Sequence, residues 1–167
     1  MKKIILGIAS LLFFLGCSKK SDEVITPPTA TTLEAYLLKN GYDKNNDGKI
    51  GKEDQLEGFT DLNLSGKGLT DLQGLEVFTQ LETLNASGNN LTEVTLKNRN
   101  LTSFNLSNNK LVKLDISNLP LIGRLPMDVS GNPNLTCVSV GGNKLIIEQN
   151  MKKHKKDAQT QFKSTCN

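Results

Sequence analysis

Apolar residues along this chain recur in a short fixed pattern, L-x-x-L-x-L-x-x-N-x-L, rather than at the helical period. Phe59, Leu62, Leu64 and Leu69 carry it first. Leu81, Leu84, Ala86, Asn89 and Leu91 repeat it, then Leu101, Phe104, Leu106, Asn109 and Leu111, and a fourth match runs through Leu135, Val138, Val140, Asn143 and Leu145. The first registers advance by 22 and then 20 residues. Each Leu-x-Leu centre predicts one short strand with both apolar side chains turned inward, and stacked units predict a parallel sheet. Asn89, Asn109 and Asn143 are expected to bond backbone groups at the turn after each strand. Lys67 holds that position in the first unit, which marks it as an end unit.

A second alternating stretch follows in later units: Val94-Thr95-Leu96, Leu114-Asp115-Ile116 and Met127-Asp128-Val129. These predict strands or extended runs on an opposite wall, enclosing a thin apolar core. Val94 to Leu114 is 20 residues but Leu114 to Met127 is 13, so one unit is expected to have lost about seven residues around Leu119–Pro126. Before the repeats, Thr31-Thr32-Leu33-Glu34 offers a capping box, and Leu33, Leu37 and Leu38 form an apolar stripe that predicts a short helix ending near Gly41. After them, Ile147, Met151, Ala158 and Phe162 sit at spacings of 4, 7 and 4, which predicts a helical cap over the last unit.

Between that first helix and the repeats lies DKNNDGKIGKED, Asp43–Asp54. It matches the EF-hand loop with Asp43, Asn45 and Asp47 at positions 1, 3 and 5, Gly48 at 6, Ile50 at 8 and Asp54 at 12. A hard cation such as Ca2+ wants six to eight oxygens. Alternate residues of the loop supply side-chain oxygens, and Lys49 would supply its backbone carbonyl. Asp54 is one methylene shorter than the usual Glu and Gly51 leaves position 9 to water, so affinity is expected near ~0.1 to 1 mM. Gly58 cuts the exit helix short, which argues for a clamp rather than a switch. An Asx-rich turn without metal is the alternative.

The chain opens MKKIILGIASLLFFLGC: two Lys, an apolar run Ile4–Leu15, small Gly16, then Cys17. The run is too short to cross a bilayer comfortably. Its end resembles a bacterial lipobox, which implies removal of residues 1–16 and a lipid anchor at Cys17, although Phe14 stands where Leu is usual. An uncleaved anchor or ordinary secretion is the alternative, and all of these take the chain out of the cytoplasm. Residues 17–31 are polar with Pro27-Pro28, a tether by composition. Ser21-Asp22-Glu23 is similar to acidic sorting signals of Gram-negative lipoproteins, which implies the outer membrane and its outer face. With Cys17 set aside, Cys137 and Cys166 remain; in an oxidising compartment they can pair, or stand as two free thiols.

Composition narrows the function classes. The 167 residues allow one modest domain, and 26 Leu and 18 Asn against one His and no Trp fit a repeat that uses Leu and Asn together. Residues 17–167 carry 18 basic and 17 acidic side chains, too balanced for a nucleic-acid binder. Charge is lopsided: residues 144–163 hold six Lys and two acids, read as the solvated face of the capping helix with His154 among them, or as a surface for anionic lipid or polysaccharide. No Ser-His or Cys-His nucleophile, phosphate-binding Gly loop or clustered His/Cys site stands out, so a non-enzyme is expected.

The repeats resemble the leucine-rich repeat family over about Phe59–Leu145, and Leu69–Leu84 is similar to an internalin-type repeat, which implies a short 3₁₀ turn on the back of that unit. Residues 17–167 together resemble exported bacterial leucine-rich repeat lipoproteins with an N-terminal calcium loop. The expected architecture is therefore an α/β repeat solenoid: signal peptide 1–16, tether 17–31, helix and calcium loop 32–58, repeats 59–145, and a cap 146–167 tied back through Cys166. The expected role is recognition of a protein or glycan ligand by the concave face of a monomer. Its outward positions are Asp61, Asn63, Ser65, Thr83, Asn85, Ser87, Ser103, Asn105, Ser107 and Ser139. The competing reading is an assembly lipoprotein docked constitutively on another outer-membrane component.

Overall fold

The described strands are two or three residues long, because most are a single inward apolar residue flanked by outward polar ones. A computed structural model describes residues 31–120 and 126–166. Leader, lipobox Cys17, tether and Ser21-Asp22-Glu23 lie outside the described residues, as do 121–125 and 167. The described strands are β1 (Asp61–Asn63), β2 (Thr83–Asn85), β3 (Glu93–Thr95), β4 (Ser103–Asn105), β5 (Lys113–Asp115), β6 (Met127–Asp128), β7 (Cys137–Ser139) and β8 (Gln161–Lys163). Among the described residues helices are few: α1 (Leu33–Lys39), α2 (Lys144–Gln149) and single 3₁₀ turns, one of them Leu75–Val77.

The chain is α/β with two parallel four-stranded sheets, ordered β1-β2-β4-β6 and β3-β5-β7-β8. In the first sheet Leu62, Leu84, Phe104 and Met127 stand in register, and in the second Val94, Leu114, Val138 and Phe162 do so. Those columns face a shared core with Leu64, Ala86, Leu106 and Val129 and with Leu96, Ile116 and Val140, all buried. Stacking like on like lets one apolar layer repeat along the molecule, so removal of any member opens a void that its neighbours cannot close.

Buried asparagines connect the turns that follow the first-sheet strands. Asn89 Oδ1 accepts from the amides of Lys67 and Leu69, while its Nδ2 donates to the carbonyls of Leu64 and Ala86. Asn109 Oδ1 accepts from Leu91 N–H, and its Nδ2 donates to the carbonyls of Ala86 and Leu106. Asn132 does the same with Leu111, Leu106 and Val129. The ladder ends on Asp157, whose carboxylate accepts the amides of Gly131 and Asn132. Beside it, buried Thr160 donates to the carbonyl of Leu135.

Several expectations need correction. Asn132, not Asn143, is the third rung; Asn143 donates to the Leu119 carbonyl instead. Met127–Asp128 belongs to the first sheet and Cys137–Ser139 to the second, the reverse of the assignment made from pattern. No unit is shortened: first-sheet strands advance by 22, 20 and 23 residues and second-sheet strands by 20, 24 and 24. Both walls carry the same apolar spacing, with Leu101, Phe104 and Leu106 on the first and Leu111, Leu114 and Ile116 on the second, so spacing alone does not say which wall a strand joins. The helical cap is also only partly helical: after α2 the chain forms the bridge Asp128↔Lys155 and then β8, with Phe162 inward. At the other end the N-cap is Thr32, which accepts from Ala35 N–H, while Thr31 bridges to Leu69.

A polar groove on the first sheet and an Asx loop at its end

Because the strands pair in register, the outward residues of the first sheet form columns. Asp61, Thr83 and Ser103 make one, and Asn63, Asn85, Asn105 and Asp128 the next. Asn63 Oδ1 accepts from the amide and hydroxyl of Ser65, Asn85 does the same with Ser87, and Asn105 accepts from the Ser107 amide. Asp128 repeats the arrangement with Ser130. The acceptor end of each side chain thus closes its strand. Among the described residues the amide NH2 groups of Asn63, Asn85 and Asn105 donate to nothing, which leaves a row of donors for a ligand.

Nine of the ten expected face residues share this surface. Ser107 is nearly buried on it, and Ser139 is elsewhere: it lies in β7 of the second sheet, beside Asp115 and Lys163, and its hydroxyl accepts from Cys166 N–H. The face is hollowed at its C-terminal end into a groove of about 260 Å³ that runs over the strand positions Leu84, Phe104 and Met127, whose side chains are buried in the core, and is walled by Asn85, Asn105, Asp128, Lys153 and Lys155. Sequence reasoning missed Pro126, Asp128, Lys153 and Lys155. For Asp128 a signal existed, since Asp128-Val129-Ser130 repeats Asn105-Leu106-Ser107; the lysine run carried none, because nothing in it shows that Lys155 joins the edge of the sheet.

Lys155 is placed by its backbone. Its N–H donates to Met127 and its carbonyl accepts from Val129, each at 2.8 Å, and its ammonium lies 3.7 Å from Asp128 Oδ2 with the side chain 77% exposed. His154, expected in solvent, is instead buried edge-on against Phe162 with ring centroids 6.3 Å apart. Met151–Lys153 is a 3₁₀ turn and the chain extends from His154; side chains alternate along an extended segment, so Lys155 points out where His154 points in, while Lys153 is exposed at the end of the turn. Cys137 and Cys166 form a disulfide, Cα to Cα 6.0 Å, which ties the chain end to β7.

At the N-terminal end, the loop Asp43–Asp54 is organised by its own side chains. Asp43 accepts from the amides of Asp47 and Gly48, Asn45 Oδ1 from Asp47, and Asp47 Oδ1 from Lys49. Asn46 and Gly48 adopt left-handed φ of 59° and 80°, turning the chain so that Asp43, Asn45 and Asp47 come together. Asp54 faces the backbone: Oδ2 accepts from Gly51 and Oδ1 from Lys44 and Asn45, with 1% of the residue exposed. The Gly51 amide first, then those of Lys44 and Asn45, hold its carboxyl below the usual carboxylate range against the opposing effect of burial. Among the described residues no three His, Cys, Asp or Glu side chains gather as a metal-holding group. The oxygen donors that fit a hard cation are thus Asp43, Asn45, Asp47 and the Lys49 carbonyl, with Asp54 contributing through lone pairs its amide bonds leave over. No protein-family model matches the chain, and no curated protein matches it significantly.

Proposed function

We propose that this protein is a lipid-anchored, extracytoplasmic leucine-rich repeat solenoid that recognises another protein through the first-sheet face, with calcium stabilising its N-terminal end. The carrying observation is the row of in-register Asn side chains whose acceptor ends are used internally while their donor ends are not. Such a surface is rigid, hydrated and rich in directed donors, which suits recognition better than catalysis. The anchor at Cys17 would hold it on the outer membrane of a Gram-negative cell. Calcium held by the Asp43, Asn45, Asp47, Lys49 carbonyl and Asp54 set would neutralise acidic charge in the loop and hold α1 against the first unit.

Four strands at about 4.8 Å span roughly 15 Å, well short of a standard interface of about 800 Å² per partner, so single-copy affinity is expected to be weak and many tethered copies would act by avidity. The test is capture from envelope and surrounding-medium extracts by immobilised residues 18–167, against a variant with Asn63, Asn85 and Asn105 all changed to Ala. Specific capture lost in the variant supports recognition by this face. Capture that the variant retains, and that finds only envelope proteins with or without calcium, would move the reading to a constitutive assembly role.

A further inference from the structure

The first sheet ends at β1 with an open edge. Among the described residues no strand lies beyond it, since the sheet runs β1-β2-β4-β6. In a parallel sheet successive residues turn their backbone groups to opposite neighbours. Leu64 N–H donates to the Asn85 carbonyl and the Thr60 carbonyl accepts from Thr83, so the intervening Asp61 and Asn63 turn theirs to the open side. Phe59 shows the same missing layer: it is 36% exposed, whereas Leu81 and Leu101, which hold its place in the next two units, are buried.

Thr31 fixes what can reach that edge. Its N–H donates to Gly68 and its carbonyl accepts from Thr70, a parallel bridge to Leu69. The Leu69 carbonyl accepts from Asn90, and that of Leu91 from Lys110, in the same way. Thr31, Leu69 and Leu91 are therefore corresponding positions of successive layers. Leu69 and Leu91 each follow a strand centre, Leu62 and Leu84, by seven residues, and seven residues before Thr31 stands Val24.

The sequence there suits a strand. Val24 and Ile25 are the only Val and Ile of residues 18–30, Thr26 makes a third β-branched residue in a row, and Pro27-Pro28 stops the run. Pro28 takes the place of Gly66, whose φ of 64° Pro cannot adopt, so this turn follows its own path; the five residues from Thr26 to Thr31 reach up to about 17 Å. We propose that residues 23–26, which lie outside the described residues, dock on β1 as a further parallel strand, Glu23, Val24 and Ile25 beside Asp61, Leu62 and Asn63. Thr26 N–H then donates to Asn63 as Leu64 N–H does to Asn85. The inference does not rest on the recognition reading. On the anchored reading it shortens the free tether from 14 residues, Cys17 to Thr31, to six, Cys17 to Glu23, a reach of about 20 Å instead of about 50 Å. The β1 end of the sheet would then be held near the membrane and the groove end away from it.

NMR-detected hydrogen exchange on the full-length chain in mild detergent tests the parent directly. The amides of Val24 and Thr26 should exchange at least about tenfold more slowly than in an open chain, and that of Ile25, which turns away from β1, should not. Open-chain exchange at all three overturns the inference, and so does protection of Ile25 in place of its neighbours, which reports another register. Val24→Pro should lower Tm and abolish the protection of Thr26, while Lys20→Pro changes neither; equal Tm in both variants and the parent would show that nothing docks. E23Q removes a like charge beside Asp61 and should strengthen the protection, and weaker protection would count against this pairing. Under mild oxidant I25C/N63C should form a disulfide between those positions within one chain, and I25C/N85C, one strand further on, should not. A bond between two chains would give the edge to a second copy, and no bond in an I25C/N63C variant that melts like the parent would overturn the inference as well.

Discussion

Replacing Asn109 by Ala tests the asparagine ladder where its arithmetic is clearest. The side chain accepts from Leu91 N–H at 3.1 Å and donates to Ala86 and Leu106 carbonyls, each at 3.0 Å. The carbonyls survive its loss: Ala86 keeps Asn89 Nδ2, and Leu106 keeps Asn132 Nδ2. Leu91 N–H has no second acceptor among the described residues and is buried, so it is orphaned at a cost of about 1–3 kcal/mol. Adding the lost net hydrogen bonding brings the expected destabilisation to about 2–4 kcal/mol, or on the order of 10 °C in Tm. Urea unfolding followed by far-UV circular dichroism measures it, with an unchanged m-value showing that only stability moved. Asn63→Ala is the comparison, since water can replace its exposed bonds to Ser65, and should cost under about 1 kcal/mol. Asn109→Asp sharpens the test. Its carboxylate would face two carbonyls, so at neutral pH it should be at least as destabilising as Ala. Those carbonyls raise the folded-state carboxyl pKa, so the deficit should shrink as pH falls through that raised value and a protonated carboxyl regains a donor. If Asn109→Ala costs no more than Asn63→Ala, the ladder is not what holds these turns together.

Other consequences can be checked on the same apparatus. Cys137 and Cys166 are 29 residues apart, so C137S/C166S should lose about 3.5 kcal/mol on the chain-entropy model, with reductant producing the same shift in the parent and none in the variant. Gly131 has φ of +70°, and a Cβ there would meet the Asn108 backbone nitrogen at 3.1 Å as well as the Asn108 side chain. Gly131→Ala should therefore cost more than about 1 kcal/mol, against little for Gly58→Ala, whose surroundings are open. Chelator should lower the parent Tm and leave that of Asp43→Ala unchanged. Asp54→Ala should lower Tm even in chelator, because its three backbone bonds exist without metal; no difference between Asp54→Ala and the parent in chelator would refute the loop-closing role.

How much could be read beforehand followed from which features were local. Strand centres at Leu62, Leu84 and Phe104, rungs at Asn89 and Asn109, and the 3₁₀ turn at Leu75–Val77 were legible because each lies within one unit whose spacing repeats. The second half was misassigned because two walls share one apolar period, and only a partner-specific mark separates them. The asparagine spacing did not supply it: Asn132 follows Val129 by three residues as Asn89 follows Ala86 and Asn109 follows Leu106, but Asn143 follows Val140 by three as well. With the match at Leu135–Leu145 assigned to the first wall, Asn143 and Ser139 went wrong together, since one register error moves every residue downstream of it. The C-terminal segment was not legible for a different reason. Spacings of 4, 7 and 4 suit a helix, but Asp157 on the last turn, Thr160 on the Leu135 carbonyl and Cys166 on Cys137 all reward a chain that returns to the sheets. Those are long-range contacts, and they outweigh the local preference of a lysine-rich stretch that has few apolar residues to stabilise a helix.

The same reasoning explains why the groove went unseen while most of its face was found. The face is a property of the repeat, whereas Lys153 and Lys155 reach it only through the departure from helix at the chain's end. A helical cap would have left those lysines on one solvated stripe with His154. After the 3₁₀ turn Met151–Lys153 the chain extends, His154 turns in against Phe162 and Lys155 turns out, so the contact that buries the histidine also helps to fix the charge beside Asp128. The end cap and the charged wall are therefore one structure. A substitution that loosens the cap without touching a lysine, such as Phe162→Ala, should weaken partner capture by the first-sheet face together with stability. If Phe162→Ala lowered Tm yet captured partner like the parent, the coupling between cap and groove would be wrong.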